Sequence, residues 1–434
     1  MRKIVIIGLS IAGSIAFAAK NKPAKTLEEC FQAALKRSEK VGVQDELLVQ
    51  TKEGKTQAIG GLFPTISGTA TYLHQPSPAE LSATSPADQN TVKLSADQPL
   101  FRGLREFATI RQKDAQVGMQ KFALQDAARQ LFYDTTTAYY NVLALESDKN
   151  NYLNEIDVNN KRLKELQNFL RIGRSRLSEV LTQKANISSL EAQLMNTRGQ
   201  LENAKEILAF LTGLDRDLIL QDTGDMSDDS KPLPYYLAKI EDRPDIKTAA
   251  ESVHIYDEGI SIAFGQHLPS IDLIGDYYPV KPGTQAQQNV NWDVQLVLSM
   301  PIFEGGVIQS QVRQATSVER QYELQLSQVR RSAEQEVRQF YDNFAADKTQ
   351  VQKLDETVDL SKRNYEAELQ DYRNGLVTNL DVLQAITTWQ DAERASAHQK
   401  FVMKLDHTKL EAAAAQRKEI FISSTRVDTK RGNN

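Results

Sequence analysis

Proline is distributed along this 434-residue chain in a way that leaves two very long stretches without it. All 13 prolines lie at or before Pro301, and none occurs from Leu100 to Lys231 or from Ile302 to Asn434. Proline removes a backbone donor and clashes with the preceding helical turn, so helix interiors seldom contain it. Each stretch can therefore hold helices much longer than those of an ordinary globular domain.

Hydrophobic spacing in both stretches indicates helices that pack along a seam. The seam positions alternate by three and four residues, which averages to the 3.5-residue period of supercoiled helices. Eight of the eleven seam positions between 135 and 170 are apolar, and so are eight of the eleven between 337 and 372. The polar exceptions either set the register of a coiled coil or mark a part of the seam that meets water. Among these exceptions are Lys149, Asn159, Asp347, Ser361 and Glu368.

The second half of the chain repeats the first at a constant offset of 202 residues. The segment from Pro99 to Gly103 returns as the segment from Pro301 to Gly305. Further on, Ile172-Gly173 with Glu179-Val180-Leu181 returns as Asn374-Gly375 with Asp381-Val382-Leu383. A period this long indicates one module used twice, since solenoid repeats are only about 20 to 50 residues long.

Each long helix is expected to end at a glycine, Gly173 or Gly375, and to be followed by a short turn and a returning helix. We expect Ser178 and Asn379 to be the N-caps of the returning helices. Glu179 and Asp381 then lie in the first turns, where the helix dipole favours negative charge. Each module therefore contains a helical hairpin.

Two short segments of alternating polarity precede each long helix. They are 65–73 and 92–100 in the first module, and 271–278 and 292–300 in the second. Alternation over about ten residues with aromatic residues near the ends is typical of transmembrane strands, although a soluble hairpin with one solvated face gives a similar pattern. Four strands cannot close a barrel, and open sheet edges are prohibitive in lipid. The membrane interpretation therefore requires several chains to share one barrel.

The N-terminus resembles a secretory signal, with Arg2 and Lys3 before an apolar stretch and a small-residue cleavage site at Ala18. The single cysteine, Cys30, is expected to be a small buried residue of a helix. The five histidines have no metal-ligand spacing, and no phosphate-binding glycine loop is present. The net charge of −5 argues against nucleic acid. We expect neither an enzyme nor a cofactor.

These features together resemble the TolC-like outer membrane factor family of efflux and secretion channels. The motifs that carry the resemblance are the proline-to-glycine turns entering each long helix, Arg243-Pro244-Asp245-Ile246, and the segment from Tyr372 to Leu383. The resemblance implies a mainly α fold in which long helical hairpins, an α-barrel, continue a transmembrane β-barrel with four strands per protomer. It also implies a homotrimer in outer-membrane lipid that contacts a periplasmic adaptor and an inner-membrane pump.

The resemblance also assigns roles to residues. Tyr372, Glu179 and Asp381 match the periplasmic gate, and Gly173, Gly375 and Leu376 match the adaptor-contacting tips. Pro99, Gly103, Pro301 and Gly305 are the strand-to-helix turns. Gln384 stands where a second acidic residue is expected and Val377 where an arginine latch is expected, so the closing network is expected to be built differently.

The sequence predicts five segments. They are a signal peptide at 1–18, a first repeat at 19–214, a connector of an equatorial region at 215–245, a second repeat at 246–422 and a disordered tail at 423–434. The expected function is the passive trimeric exit duct of a tripartite efflux or type I secretion system. The alternative is a periplasmic coiled-coil adaptor or scaffold, but such proteins typically present one hairpin between small β-domains, whereas this chain has two hairpins alternating with two strand pairs.

Overall fold

A computed structural model describes residues 24–76, 87–222, 231–281 and 289–415. The predicted signal peptide and C-terminal tail lie outside these ranges, as do residues 223–230 of the predicted connector. The helices are α1 (Leu27–Arg37), α2 (Glu39–Gly60), α3 (Arg105–Arg171), α4 (Leu177–Thr212), α5 (Leu233–Leu237), α6 (Pro244–Phe264), α7 (Val307–Asn374) and α8 (Asn379–Ala413). The strands are β1 (Thr65–His74), β2 (Asp88–Arg102), β3 (Ser270–Val280) and β4 (Trp292–Ser299).

The two stretches without proline form the long hairpins that the seam predicts. Helix α3 has 67 residues and α7 has 68, so each is about 100 Å long at 1.5 Å per residue. Each pairs with the helix that follows it, α3 with α4 and α7 with α8, and α3 also packs against α8. Among the described helices, none combines the length and hydropathy that a bilayer-spanning helix needs.

Nearer the sheet, four helices lie side by side in the order α2, α3, α6 and α7, each antiparallel to its neighbour. Lys55 of α2 donates to Asp114 of α3 at 2.5 Å, and Arg111 of α3 forms a bidentate ion pair with Glu258 of α6. The rings of Tyr256 on α6 and Tyr322 on α7 stack with centroids 3.9 Å apart. Helices α2 and α7 are therefore the outer members of this layer.

The four strands form one antiparallel sheet in the order β1-β2-β3-β4, so the strand pairs of the two predicted modules join through β2 and β3. Facing partners include Ala96 with Gly275, and Tyr277 with Trp292. Irregularities interrupt the β2–β3 register between Val92 and Leu94 and between Pro99 and Phe101. The second irregularity lies at Pro99, which has no backbone N–H to donate to the neighbouring strand.

The main hydrophobic core lies at mid-height, where the short N-terminal helix packs on the hairpin of α3 and α4. The ring of Phe31 on α1 meets that of Phe132 on α3 edge to face, 5.1 Å apart. The Tyr139 hydroxyl donates to the backbone carbonyls of Lys25 and Gln221, which ties the N-terminal segment to the residues after α4. Cys30 is buried in this cluster, as expected, and burial raises the pKa of its thiol to about 11.

Both predicted strand-to-helix turns use glycine in the left-handed region. Gly103 has φ 70° and Gly305 has φ 60°, each a few residues after Pro99 or Pro301. The surroundings differ, because a Cβ added to Gly103 would overlap the carbonyl oxygen of Gly265, whereas nothing lies near Gly305. The same motif is therefore constrained by packing in the first turn and by backbone conformation alone in the second.

These two glycines make a matched pair for substitution. Gly305→Ala should destabilise the fold by about 1–2 kcal/mol, the cost of a left-handed non-glycine residue. Gly103→Ala should add an overpacking cost of about 1–3 kcal/mol, because the new methyl group meets backbone. Thermal unfolding of both variants, followed by circular dichroism, would measure the difference. Equal losses would contradict the close approach of Gly103 to Gly265.

Candidate functional site

The two hairpin turns, at the end of the molecule far from the sheet, have the same backbone geometry. Gly173 (φ 74°) and Gly375 (φ 81°) each leave the long helix in the left-handed conformation. The amide of Arg174 donates to the carbonyl of Phe169 at 2.8 Å, and the amide of Leu376 donates to that of Asp371 at 2.9 Å. These bonds satisfy carbonyls that a helix end leaves free. Glycine is needed at both positions because residues that carry a side chain rarely adopt this backbone conformation.

Large apolar side chains project from both turns. Leu376, a predicted tip residue, is 73% exposed. Apolar side chains clustered at one exposed end of a protein are typical of an interaction surface. The other exposed members of this set are Ile172, Leu177, Leu181 and Leu380.

Tyr372 and Glu179, which the sequence assigns to a gate, lie in contact. The Tyr372 hydroxyl on α7 donates to Glu179 Oε2 on α4 at 3.1 Å. The hydroxyl of Ser175 donates to the same oxygen at 2.6 Å. Burial is the largest influence on the Tyr372 phenol and raises its pKa. The phenol therefore stays protonated at neutral pH and serves as a donor that joins the two hairpins.

Arg162 of α3 completes this cluster, and sequence reasoning missed it. Its guanidinium lies 4.3 Å from the centre of the Tyr372 ring, a distance typical of cation–π contact. It also donates to Asn379 of α8 at 3.0 Å and to Glu165 at 2.9 Å. Val377, which stands where the resemblance places an arginine latch, has no charge to contribute to the cluster. Arg162 is only 5% exposed. No local pattern singles it out, because it lies between seam positions on a helix rich in charge.

Asp381 has a local partner in this structure. Its carboxylate accepts from both the backbone amide and the hydroxyl of Thr378, at 2.8 and 2.7 Å, and this hydroxyl bond is the main cause of its lowered pKa. Thr378 is therefore the N-cap of α8, and the prediction of Asn379 was wrong because the side chain of Asn379 bonds Arg162. The Ser178 prediction was also wrong: α4 begins at Leu177 and its N-cap is Arg176, two residues earlier than predicted.

Buried polar side chains continue above this cluster along the face of α3 that meets α4 and α8. Asn159 is fully buried, accepts from Gln183 at 2.8 Å and donates to Gln390 at 3.3 Å. One turn higher, Glu155 pairs with Arg394 of α8. Of the seam interruptions, Asn159, Asp347 and Ser361 are all buried between helices. Their burial favours register setting over contact with water for these three.

Within the described residues, no group of three or more His, Cys, Asp or Glu side chains is arranged to hold a metal ion. The distinctive feature is instead the pair of helical hairpins, whose turn ends are joined by the contacts of Tyr372 with Glu179 and of Arg162 with Asn379. The sequence profile of the family described as Outer membrane efflux protein matches residues 31–214 and 237–416. The chain belongs to this family.

Individual relatives agree with this membership. The chain is 23% identical over 446 residues to the outer membrane protein TolC of Escherichia coli, covering 95% of this chain and 86% of TolC. It is 21% identical over 316 residues to the alkaline protease secretion protein AprF of Pseudomonas aeruginosa, covering 69% and 64%. The crystal structure of VceC from Vibrio cholerae superposes with a TM-score of 0.78 at 19% identity, covering 89% and 95% of the two chains.

The protein is thus an outer-membrane channel of an efflux or type I secretion system, and it extends into the periplasm. Its fold is the predicted mainly helical one with a small four-stranded sheet. The cluster of Tyr372, Glu179 and Arg162 links the hairpins of this efflux protein at the tip, and each residue comes from a different helix.

Arg162→Met should loosen this tip while preserving side-chain bulk. It removes a hydrogen bond from a charged donor, which contributes about 1.5–3 kcal/mol, and leaves Asn379 without that bond. Amide hydrogen exchange in the 372–383 segment should accelerate about tenfold or more. Arg171→Met is the control, because Arg171 is exposed near the same end of α3 and bonds Asn168 of its own helix. Equal acceleration in both variants would contradict the role of Arg162.

Proposed function

We propose that three copies of this chain form a passive exit duct that opens through contact with a periplasmic adaptor and an inner-membrane pump. The observation that carries the proposal is the four-stranded sheet. One face is mostly apolar and the other mostly polar, and β1 and β4 are the outer strands of the described sheet. The apolar face includes Ile66, Leu94, Trp292, Val294, Leu296 and Leu298, all largely exposed.

The polar face carries its own hydrogen-bonded groups. Asp276 accepts from Lys93 at 3.0 Å and from Ser95 at 2.5 Å, and Arg102 pairs with Asp272 at 2.8 Å. Such a sheet fits a barrel wall with lipid outside and water inside. Because unpaired strand edges are very costly in lipid, β4 of one copy pairs with β1 of the next. Three copies supply twelve strands, enough to leave a lumen.

The helices continue this wall as a tunnel, and the linked tip is its periplasmic gate. Opening moves the hairpin of α7 and α8 away from that of α3 and α4. This motion must break the bond from Tyr372 to Glu179 and the contacts of Arg162. The exposed apolar side chains at the turns, with Gly173, Gly375 and Leu376 among the turn residues, form the adaptor contact. The duct itself supplies no energy or chemistry, so transport is driven by the pump.

Two relatives indicate the kinds of cargo that this duct serves. BepC of Brucella suis is described as an outer membrane efflux protein, and AprF as a protease secretion protein. Small molecules and secreted proteins are therefore both candidate cargoes. The sequence alternative of a periplasmic adaptor is not retained, because the matching family is one of outer-membrane proteins.

The assembly can be tested directly on the full-length protein. We expect it to require detergent for extraction from the outer membrane and to have a protein mass of three chains by light scattering. In planar bilayers it should form channels. A soluble monomer released by osmotic shock would refute the proposal.

Three Asp381 carboxylates around the threefold axis would form a cation site at the gate. Two substitutions separate this role from helix capping. Asp381→Asn keeps an acceptor for the Thr378 amide and removes the charge, whereas Asp381→Ala removes both. Block of the channel by divalent cations should weaken to the same extent in both variants. Weakening in Asp381→Ala alone would assign the residue to the cap, and unchanged block in both would refute the acidic ring.

A further inference from the structure

The outer face of α2 carries a stripe of acidic residues. Glu39, Glu46 and Glu53 recur every seven residues and are all exposed. At about 100° per residue, seven residues return to the same side of a helix. This side is opposite the one that meets α3, where Gln44 bonds Gln120 and Lys55 bonds Asp114.

The outer face of α7 carries the opposite charge. Arg313, Arg320, Arg331 and Arg338 share one side of the helix and are all exposed. This side is opposite Tyr322, which stacks on Tyr256 of α6. Leu324 lies on the same stripe and is 73% exposed. Helices α2 and α7 are the two outer members of the helical layer, so these stripes lie on opposite edges of one chain.

We propose that the acidic stripe of α2 docks on the basic stripe of α7 in the neighbouring copy, in one defined register. The inference rests on the proposed trimer, in which β4 of one copy pairs with β1 of the next. Helix α2 ends at Gly60 just before β1, and α7 begins at Val307 shortly after β4. Strand pairing therefore brings the end of one helix beside the start of the other, and the two helices run antiparallel.

When residues are counted along each helix away from the sheet, the acidic residues of α2 and the arginines of α7 fall at matching levels. Glu53 is 7 residues before Gly60, and Arg313 is 6 residues after Val307. Glu46 and Arg320 follow one heptad later on each helix. Glu39 reaches the level of Arg331 with a difference of three residues, about 4.5 Å along the helix, which a long arginine side chain can span.

An apolar pair provides a second, independent agreement with this register. Val43 is 17 residues before Gly60, and Leu324 is 17 residues after Val307. Val43 is 57% exposed on the outer face of α2, and Leu324 is the large apolar residue on the arginine stripe. If both faces were simply exposed to solvent, nothing would require these two apolar residues to lie at the same distance from the sheet. Docking buries them together between the heptad-spaced ion pairs, which resembles the e and g charges that set coiled-coil partners.

Disulfide trapping tests the register. We would place Val43→Cys and Leu324→Cys in one full-length chain carrying Cys30→Ala. Within a chain, α3 and α6 separate the two positions, so only neighbouring copies can join them, and a disulfide requires Cα atoms within about 7 Å. Oxidation should yield a trimer-sized band on a non-reducing gel that reductant abolishes. The control pairs Val43→Cys with Ser317→Cys, an exposed position one heptad or about 10 Å nearer the sheet, and should not crosslink.

The outcomes distinguish a failure of the proposed stripe docking from a failure of the proposed trimer. Crosslinking through position 317 and not 324 would overturn the register. Absence of any crosslink in a protein that light scattering shows to be trimeric would overturn the docking and leave the proposed duct intact. A monomeric parent protein would instead refute the proposed function itself.

Charge reversal tests the ion pairs. Glu53→Arg and Arg313→Glu should each lower the temperature at which the detergent-solubilised trimer dissociates, and the double variant should recover most of the loss. Arg338→Glu makes the same charge change on the same stripe. However, it lies 31 residues after Val307, beyond the 22-residue length of α2. Glu53→Arg should therefore not rescue it. Single reversals without effect, or rescue of both arginine variants alike, would contradict the proposed pairing.

Discussion

A helix of about 100 Å cannot persist in water by itself, and the rest of this structure follows from that constraint. Helical stability in proteins comes mainly from burying an apolar face against a partner, not from intrinsic propensity. Helices α3 and α7 therefore each need neighbours along their whole length. The hairpin turns at Gly173 and Gly375 provide one neighbour, and the side-by-side layer of α2, α3, α6 and α7 provides others.

Buried polar residues lie at two levels of this packing, near the tip and at mid-height. Buried polar groups are costly unless they are hydrogen-bonded, so a seam that contains them permits few alternative registers. Asn159 and Arg162 lie in the lower part of α3, near the tip, and both bond side chains of the other hairpin. Near mid-height the apolar contact between Phe31 and Phe132 is accompanied by buried ion pairs, in which Arg129 and Arg243 both meet Asp245. A tip joined by a few polar contacts can be separated at lower cost than the mid-height packing, where apolar burial and buried ion pairs occur together.

Local sequence patterns predicted much of this architecture. The absence of proline and the 3.5-residue period indicated the long hairpins, and alternating polarity indicated all four strands. Glycine at each turn was predictable because the left-handed conformation excludes most residues. The N-caps were predicted less well: Asn379 has a suitable side chain, but that side chain bonds Arg162 on another helix. Capping preferences describe one helix and cannot include such a competing partner.

The sequence alone therefore determined the helices of the two hairpins, the four strands and the glycine turns, because these depend on spacing and on residues with unusual backbone freedom. It also indicated that Tyr372 and Glu179 belong at the tip. The tertiary structure decided which side chains meet across helices, including the contact of Arg162 with the Tyr372 ring and the order that leaves α2 and α7 as the outer helices. Those contacts join residues as many as about 200 positions apart. No periodicity within one helix encodes them, since they depend on how separate elements pack in three dimensions.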